Sequence, residues 1–132
     1  MLKPNNRLTK VRDFNLVMMY GRWISGQFLR IKWLKLAEIE DYFPKKEDTD
    51  KFKKQLRLAI VVGVKVSKSA VKRNRLKRQM REVVRLLIKG NCLPEGYYLM
   101  LVAQKEILDK NYAEISEEIR LLLKKIKLLK DI

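Results

Sequence analysis

The segment from Ala70 to Lys89, AVKRNRLKRQMREVVRLLIK, constrains the fold more than any other stretch of the chain. At 100° per residue, Leu76, Met80, Val83, Val84 and Leu87 fall on one stripe with spacing i, i+4, i+7, i+8, i+11, the pattern of an amphipathic helix. Asn74, Arg78, Arg81 and Arg85 fall on the opposite side. Glu82 is the only acid among Lys72, Arg73, Arg75, Lys77, Arg78, Arg81, Arg85 and Lys89. Like charges at i,i+4 spacing cost a helix roughly 0.2–0.5 kcal/mol per pair, and a face that serves solubility alone mixes its signs. The stretch is therefore expected to bury one side against a core and to offer the other to a polyanion.

The rest of the composition agrees. A net charge of +16 favours a polyanionic partner through counterion release. An anionic membrane surface is the other candidate, but no apolar run approaches the ~20 residues of a spanning helix. The start, MLKPNNRLTK, lacks the apolar region of a secretory signal. Cys92 is the single cysteine and histidine is absent, which excludes a disulfide framework, a Cys/His zinc site and His-based catalysis. These features suit a reducing cytoplasm. A length of 132 residues suits one domain spanning 1–132.

Along the chain, residues 1–8 read as a mobile basic tail. Asp13 to Tyr20 reads as a short helix closed by Gly21 as a C-terminal cap, with Phe14, Val17 and Met18 on one face. Gln27 to Ala37 alternates with period two, Leu29, Ile31 and Trp33 opposing Phe28, Arg30 and Lys32. Trp23 and Ile24 suggest a small partner strand, with Gly26 at the bend. Residues 38–54 are nearly neutral, interrupted by Pro44, and read as an exposed insertion. Leu56 to Val64 is an almost continuous β-branched run, expected as a central strand buried on both faces. The polar connection Lys65 to Ser69 leads into the basic helix, with Ser67 or Ser69 as N-cap, and Gly90-Asn91 closes it. Tyr97 to Gln104 is a further strand. Asn111 to Glu114 resembles a capping box opening a last helix with Ile115, Ile119, Leu122, Ile126 and Leu129 on one stripe. The order α-β-β-β-α-β-α predicts a single two-layer α+β domain, an approximately four-stranded sheet with helices packed on it.

No nucleophile–base constellation, metal-ligand cluster or phosphate-cradling glycine loop is visible, and no general acid/base pair can be argued. From the residues alone the chain binds nucleic acid and carries no catalytic apparatus of its own. RNA is weakly favoured over duplex DNA: a basic helix enters a DNA major groove but not the narrow A-form groove. A basic helix can still grip structured RNA through phosphates, and an aromatic-bearing sheet accepts single strands. A structural ribosomal or nucleoid-associated protein with a similar helix fits the same features.

Within the basic helix, Arg73-Asn74-Arg75-Leu76-Lys77-Arg78-Gln79-Met80-Arg81-Glu82 matches every specified position of R-N-R-x-K-R-x-x-R-E. The chain here resembles the protein subunit of bacterial ribonuclease P. Arg7-Leu8, Asp13-Phe14, Gly21, Arg57 and Ala70-Val71 add supporting matches, so that the resemblance covers roughly residues 7–125. It implies a ribosomal protein S5 domain 2-like fold with a left-handed βαβ crossover, where general rules predict the right-handed one. It also implies a function: partnering a catalytic RNA subunit that, with Mg²⁺, removes the 5′ leader from precursor tRNA. On that resemblance, Arg73, Asn74, Arg75, Lys77, Arg78 and Arg81 face the catalytic RNA, joined by Lys65 and Lys68 from the loop before the helix. Phe14 and Met18 on that helix, with Arg12 just before it, bind the leader, and Met18 stands where a second aromatic is usual. The loop Gly63 to Ser69 is one residue longer than the family's and lacks its usual glycine. No catalytic residue, no membrane and no obligate protein partner is implied, and no metal-holding residue is identified.

Overall fold

A computed structural model describes residues 2–42 and 54–129. The alternation and capping signals form where they are expected. Helix α1 spans Val11–Tyr20, strand β1 Arg22–Ser25 and strand β2 Leu29–Lys35. Strand β3 spans Leu56–Val61, helix α2 Ala70–Lys89, strand β4 Tyr97–Ala103 and helix α3 Tyr112–Lys125. The four strands form one mixed sheet in the order β1-β2-β4-β3. β2 is antiparallel to both β1 and β4, while β3 runs parallel to β4, joined to it through α2.

Register explains the core. Ile31 pairs with Leu101 and Leu58 with Leu99, which places β-strand residues of like polarity on a common face. On that face α2 and α3 pack their apolar stripes, so that Leu76, Met80, Val83, Val84, Ile115, Ile119 and Leu122 join Leu29, Ile31, Leu58, Leu99 and Leu101 in one cluster. Trp33 leans on the same cluster. The opposite face carries a smaller cluster in which Val17 of α1 meets Leu34, Tyr98 and Met100. The α+β reading with a four-stranded sheet holds, and the sheet is covered on both sides, by α1 on one and by α2 and α3 on the other.

Four expectations change. The β-branched run at 56–61 is an edge strand, and β4 is the buried central one. Its outer edge is covered by a segment some 50 residues earlier: the Leu8 N–H donates to the Leu58 carbonyl (2.9 Å), and Asn6 Nδ2 donates to the Leu56 carbonyl (2.8 Å). Residues 2–8 are accordingly no mobile tail. They dock along β3, with Leu2 and Leu8 buried and a 3₁₀ turn over Pro4–Asn6. The supposed insertion starts within two short 3₁₀ turns over Leu36–Tyr42, kinked at Ile39 (φ −116°, ψ 23°), whose Leu36 and Ile39 belong to the smaller cluster; its positions 43–53 lie outside the described residues.

Gly21 is the fourth correction. It does close α1, its N–H donating to the Val17 carbonyl (2.8 Å), but with extended dihedrals (φ −70°, ψ 156°) rather than left-handed ones. A Cβ there would collide with the Val17 carbonyl oxygen, and close approach is what requires glycine. At the far end of α2 the left-handed residue is Asn91 (φ 58°), while Gly90 remains at φ −79°. The capping box forms as read: Asn111 Oδ1 accepts from the Glu114 N–H (2.9 Å) and Glu114 Oε1 from the Asn111 N–H (3.2 Å).

Candidate nucleic-acid interface

Helix α2 is about 30 Å long at 1.5 Å per residue. Its five stripe residues Leu76, Met80, Val83, Val84 and Leu87 are all buried, so the cationic face is held outward by packing rather than by choice of rotamer. The entry is fixed by side chains. Ser69 Oγ accepts from the Lys72 N–H (3.3 Å), Ser67 Oγ accepts from the Ser69 N–H (3.1 Å), and Arg73 Nη1 reaches back to the Ser67 carbonyl (2.8 Å). Of the two serines read as caps, Ser69 is the N-cap. Arg73 thus rivets the preceding loop to the first helical turn while still presenting charge there.

The single acid of this face is already spent locally. Glu82 and Arg85 form a two-point pair, Oε1 to Nη2 at 2.7 Å and Oε2 to Nε at 2.9 Å. The hydrogen bond from Arg85 holds the Glu82 carboxyl below its ordinary value, and the same bond raises Arg85. Arg75, Lys77, Arg78 and Arg81 have no carboxylate within 4 Å among the described residues. Such a row of cations at i, i+3 and i+4 spacing repels itself, and phosphates are ligands whose charge would relieve that repulsion.

A groove of about 330 Å³ runs along the edge of β3. Phe14 of α1 lines one wall and Arg81 of α2 the other. Leu58, Ala59 and Ile60 form its floor, and Arg7 to Thr9 close one end. Phe14 is half-buried against the smaller cluster, leaving part of its ring to the groove. Phe14 and Arg81 therefore line a common space, in which a ring can stack on a base and a long cationic side chain can reach a phosphate.

The other expected residues fall elsewhere. Lys65 and Lys68 are exposed on the loop into α2, which Val62 and Val66 anchor by burial, and neither lysine lines the groove. Met18, 55% exposed, and Arg12, paired with the buried Asp13 (3.4 Å), lie on α1 outside the groove lining. Asn74 and Arg75 are exposed near the start of α2. Sequence reading missed Arg7 and Thr9, whose position follows from the docking of the N-terminal segment. It also gave no role to Lys32, placed only by its strand alternation, which is 6% exposed and donates through Nζ to the Met18 carbonyl (2.8 Å). No group of three or more Asp, Glu, His or Cys side chains is gathered to hold a metal among the described residues.

Comparison with known proteins bears on this geometry. The family model described as Ribonuclease P matches residues 2–127. A Synechococcus "Ribonuclease P protein component" is 44% identical over 129 residues, covering 98% of this chain and 87% of the relative. A Pseudanabaena protein of the same description is 33% identical, covering 98% and 97% respectively. Among solved structures, the RNase P protein of Thermotoga maritima superposes with a TM-score of 0.67 at 25% identity, covering 92% of this chain and 98% of that one. The Staphylococcus aureus RNase P protein gives a TM-score of 0.72 at 21% identity, covering 94% and 97%, a likeness of fold.

Proposed function

Because the chain belongs to the ribonuclease P protein family, we propose that it is the RNA-binding subunit of a complex in which a catalytic RNA removes the 5′ leader from precursor tRNA. The observation that carries this division of labour is the meeting of two surfaces at Arg81: the unneutralised cation row of α2 and the Phe14 groove. In this reading α2 is the anchor. Arg75, Lys77 and Arg78 displace counterions from the catalytic RNA, Arg73 and Asn74 fix the register of the first turn, and Lys65 and Lys68 extend the contact along the loop. Phe14 stacks on an unpaired leader nucleotide and Arg81 neutralises a phosphate beside it. Arg12 and Met18 border this path on α1.

The phosphodiester chemistry belongs to the RNA. In this reading the Mg²⁺ that the chemistry needs is held mainly by the RNA, since it binds through a few oxygens, substrate phosphates among them, and the protein's part is to supply cations around the RNA phosphates. No helix among the described residues is long and apolar enough to cross a membrane, and the reading places the complex in the cytoplasm without an obligate protein partner.

Reconstitution tests the reading. Precursor tRNA is incubated with the catalytic RNA at low Mg²⁺, with and without the protein. The proposal expects marked stimulation by the protein and no cleavage by the protein alone. Absence of stimulation, or cleavage without the RNA, overturns it; the former result would leave a ribosomal or nucleoid-associated binding role.

A further inference from the structure

A cavity of about 510 Å³ opens where three segments meet: the docked N-terminus, the start of β3 and the connection from α2 to β4. It shares no lining residue with the Phe14 groove and none with the basic stretch 73–82. Its apolar lining is Leu56, Leu93 and Ile88, the first two buried in the larger cluster and the third packed against it. The surrounding backbone is pinned. The Gln55 carbonyl accepts from the Gly96 N–H (2.7 Å) and the Tyr97 N–H (3.1 Å), and Gln55 Oε1 accepts from the Tyr98 hydroxyl (2.7 Å). Asn6 Nδ2, bonded to the Leu56 carbonyl, holds the N-terminal side. The space is therefore formed before any ligand arrives.

The polar side chains that line this space are not spent on one another. Among the described residues, Asn5, Lys54, Arg57, Asn91 and Glu95 make no side-chain hydrogen bond or ion pair. Four of them are exposed and satisfied by solvent. Arg57 is different: it is half-buried, and its Nε–H is shut off from solvent without an acceptor. A charged donor is rarely left in that state, and an anionic oxygen is the partner that suits a guanidinium. The lining carries two cations, Lys54 and Arg57, and one acid, Glu95. That charge matches one phosphate group and not the successive phosphates of a chain.

We infer that this cavity is a binding site for a free nucleoside monophosphate. Arg57 and Lys54 hold the phosphate, and the Glu95 carboxylate accepts from the ribose hydroxyls. The amides of Asn5 and Asn91 pair with the polar edge of the base, whose face rests on Leu56 and Leu93. A bare phosphate would leave the amides and the apolar lining unused, and a nucleoside would leave Arg57 unanswered. The volume lies within the roughly 300–1,000 Å³ of small-ligand pockets. The assignment goes beyond the ribonuclease P reading and does not rest on it, because none of these residues belongs to the proposed RNA-binding surfaces.

The test titrates the full chain calorimetrically with AMP, GMP, CMP and UMP, and separately with adenosine and inorganic phosphate. Saturable binding of at least one monophosphate at one site is expected, with adenosine and inorganic phosphate each about tenfold weaker or more. Arg57→Gln should weaken the nucleotide by about tenfold or more. Lys54→Gln, an exposed position where folding is not at stake, should weaken it to a lesser extent, and Arg78→Ala on the α2 row should leave it unchanged. In NMR spectra the Arg57 Nε–H and the side-chain amides of Asn5 and Asn91 should shift on addition of nucleotide. If Arg57→Gln does not fold, Lys54→Gln and the Arg57 signal decide the matter. Absence of saturation, inorganic phosphate binding as tightly as any nucleotide, or equal loss in Arg78→Ala overturns the proposal. So does a short 5′-phosphorylated oligonucleotide that binds more tightly than the monophosphate with the same dependence on Arg57, since that would assign the cavity to an RNA end.

Discussion

Helices α1 and α2 lie on opposite faces of the same sheet and solve opposite problems. α2 buries five apolar side chains in the larger cluster and can therefore carry a row of mutually repelling cations without losing its position. α1 has ten residues and buries only Asp13 and Val17, so it can offer Phe14 to a groove but could not hold such a charge row. The difference teaches that charge density on a helix is licensed by the packing beneath it. Arg81 is where the two meet, being part of the charge row and of the groove wall.

The largest expected effect breaks the packing half of this contrast. Leu76→Ala, beneath the charge row, should cost about 2–5 kcal/mol in denaturant unfolding, whereas Val17→Ala should cost roughly 1.5 kcal/mol, two methyl groups at ~0.8 kcal/mol each. Equal losses would mean that α1 is as firmly seated as α2. A smaller effect separates charge from packing: Arg78→Ala should leave stability unchanged and reduce the salt dependence of catalytic-RNA binding by about 0.7–0.9 unit of log–log slope. Arg120→Ala, an exposed arginine of α3 whose Nε approaches Ser116 Oγ (3.4 Å), should leave that slope where it was. If Arg120→Ala flattens the slope as much, the helices on that face are not distinguished by charge.

The smallest effect lies in Glu82. Its carboxyl is held low by Arg85, so its contribution to stability is present above the unfolded value of 4.5 and is lost as pH falls through the lower folded value. Glu82→Gln should therefore remove a shallow acid-side loss and lower stability by a small, pH-independent amount between pH 6 and pH 8, where the contribution of the ionised carboxyl is fully present. A carboxyl titration followed by NMR checks the direction; a Glu82 value at or above 4.5 removes the pair from the account.

How much of this is written locally in the chain follows from the range of the forces involved. The stripe Leu76 to Leu87 and the capping box at Asn111 and Glu114 need only neighbours within one or two turns, and both were readable. The edge position of β3 was not. A β-branched run reads alike whether its cover is a strand or a docked N-terminal segment, and here Asn6 and Leu8 supply it from 50 residues away. Gly21 reads as a helix stop because glycine tolerates left-handed dihedrals, yet its reason is the Val17 carbonyl oxygen. The family was legible because order within RNRLKRQMRE is itself the signal, and the outward cationic face follows from the stripe that α2 buries. The groove was only half legible, since Phe14, Ala59, Arg7 and Arg81 come together only when four separate segments fold.

The central claim is that α2 anchors the RNA while the Phe14 groove reads the substrate. Its most direct test measures, for Phe14→Ala and Arg78→Ala side by side, affinity for the catalytic RNA and the preference of the assembled complex for leader-bearing over mature tRNA. The account predicts that Phe14→Ala loses about five- to a hundredfold of that preference, the value of one stacked base at ~1–3 kcal/mol, with catalytic-RNA affinity intact, and that Arg78→Ala does the reverse. Equal weakening of both quantities by both variants would contradict it.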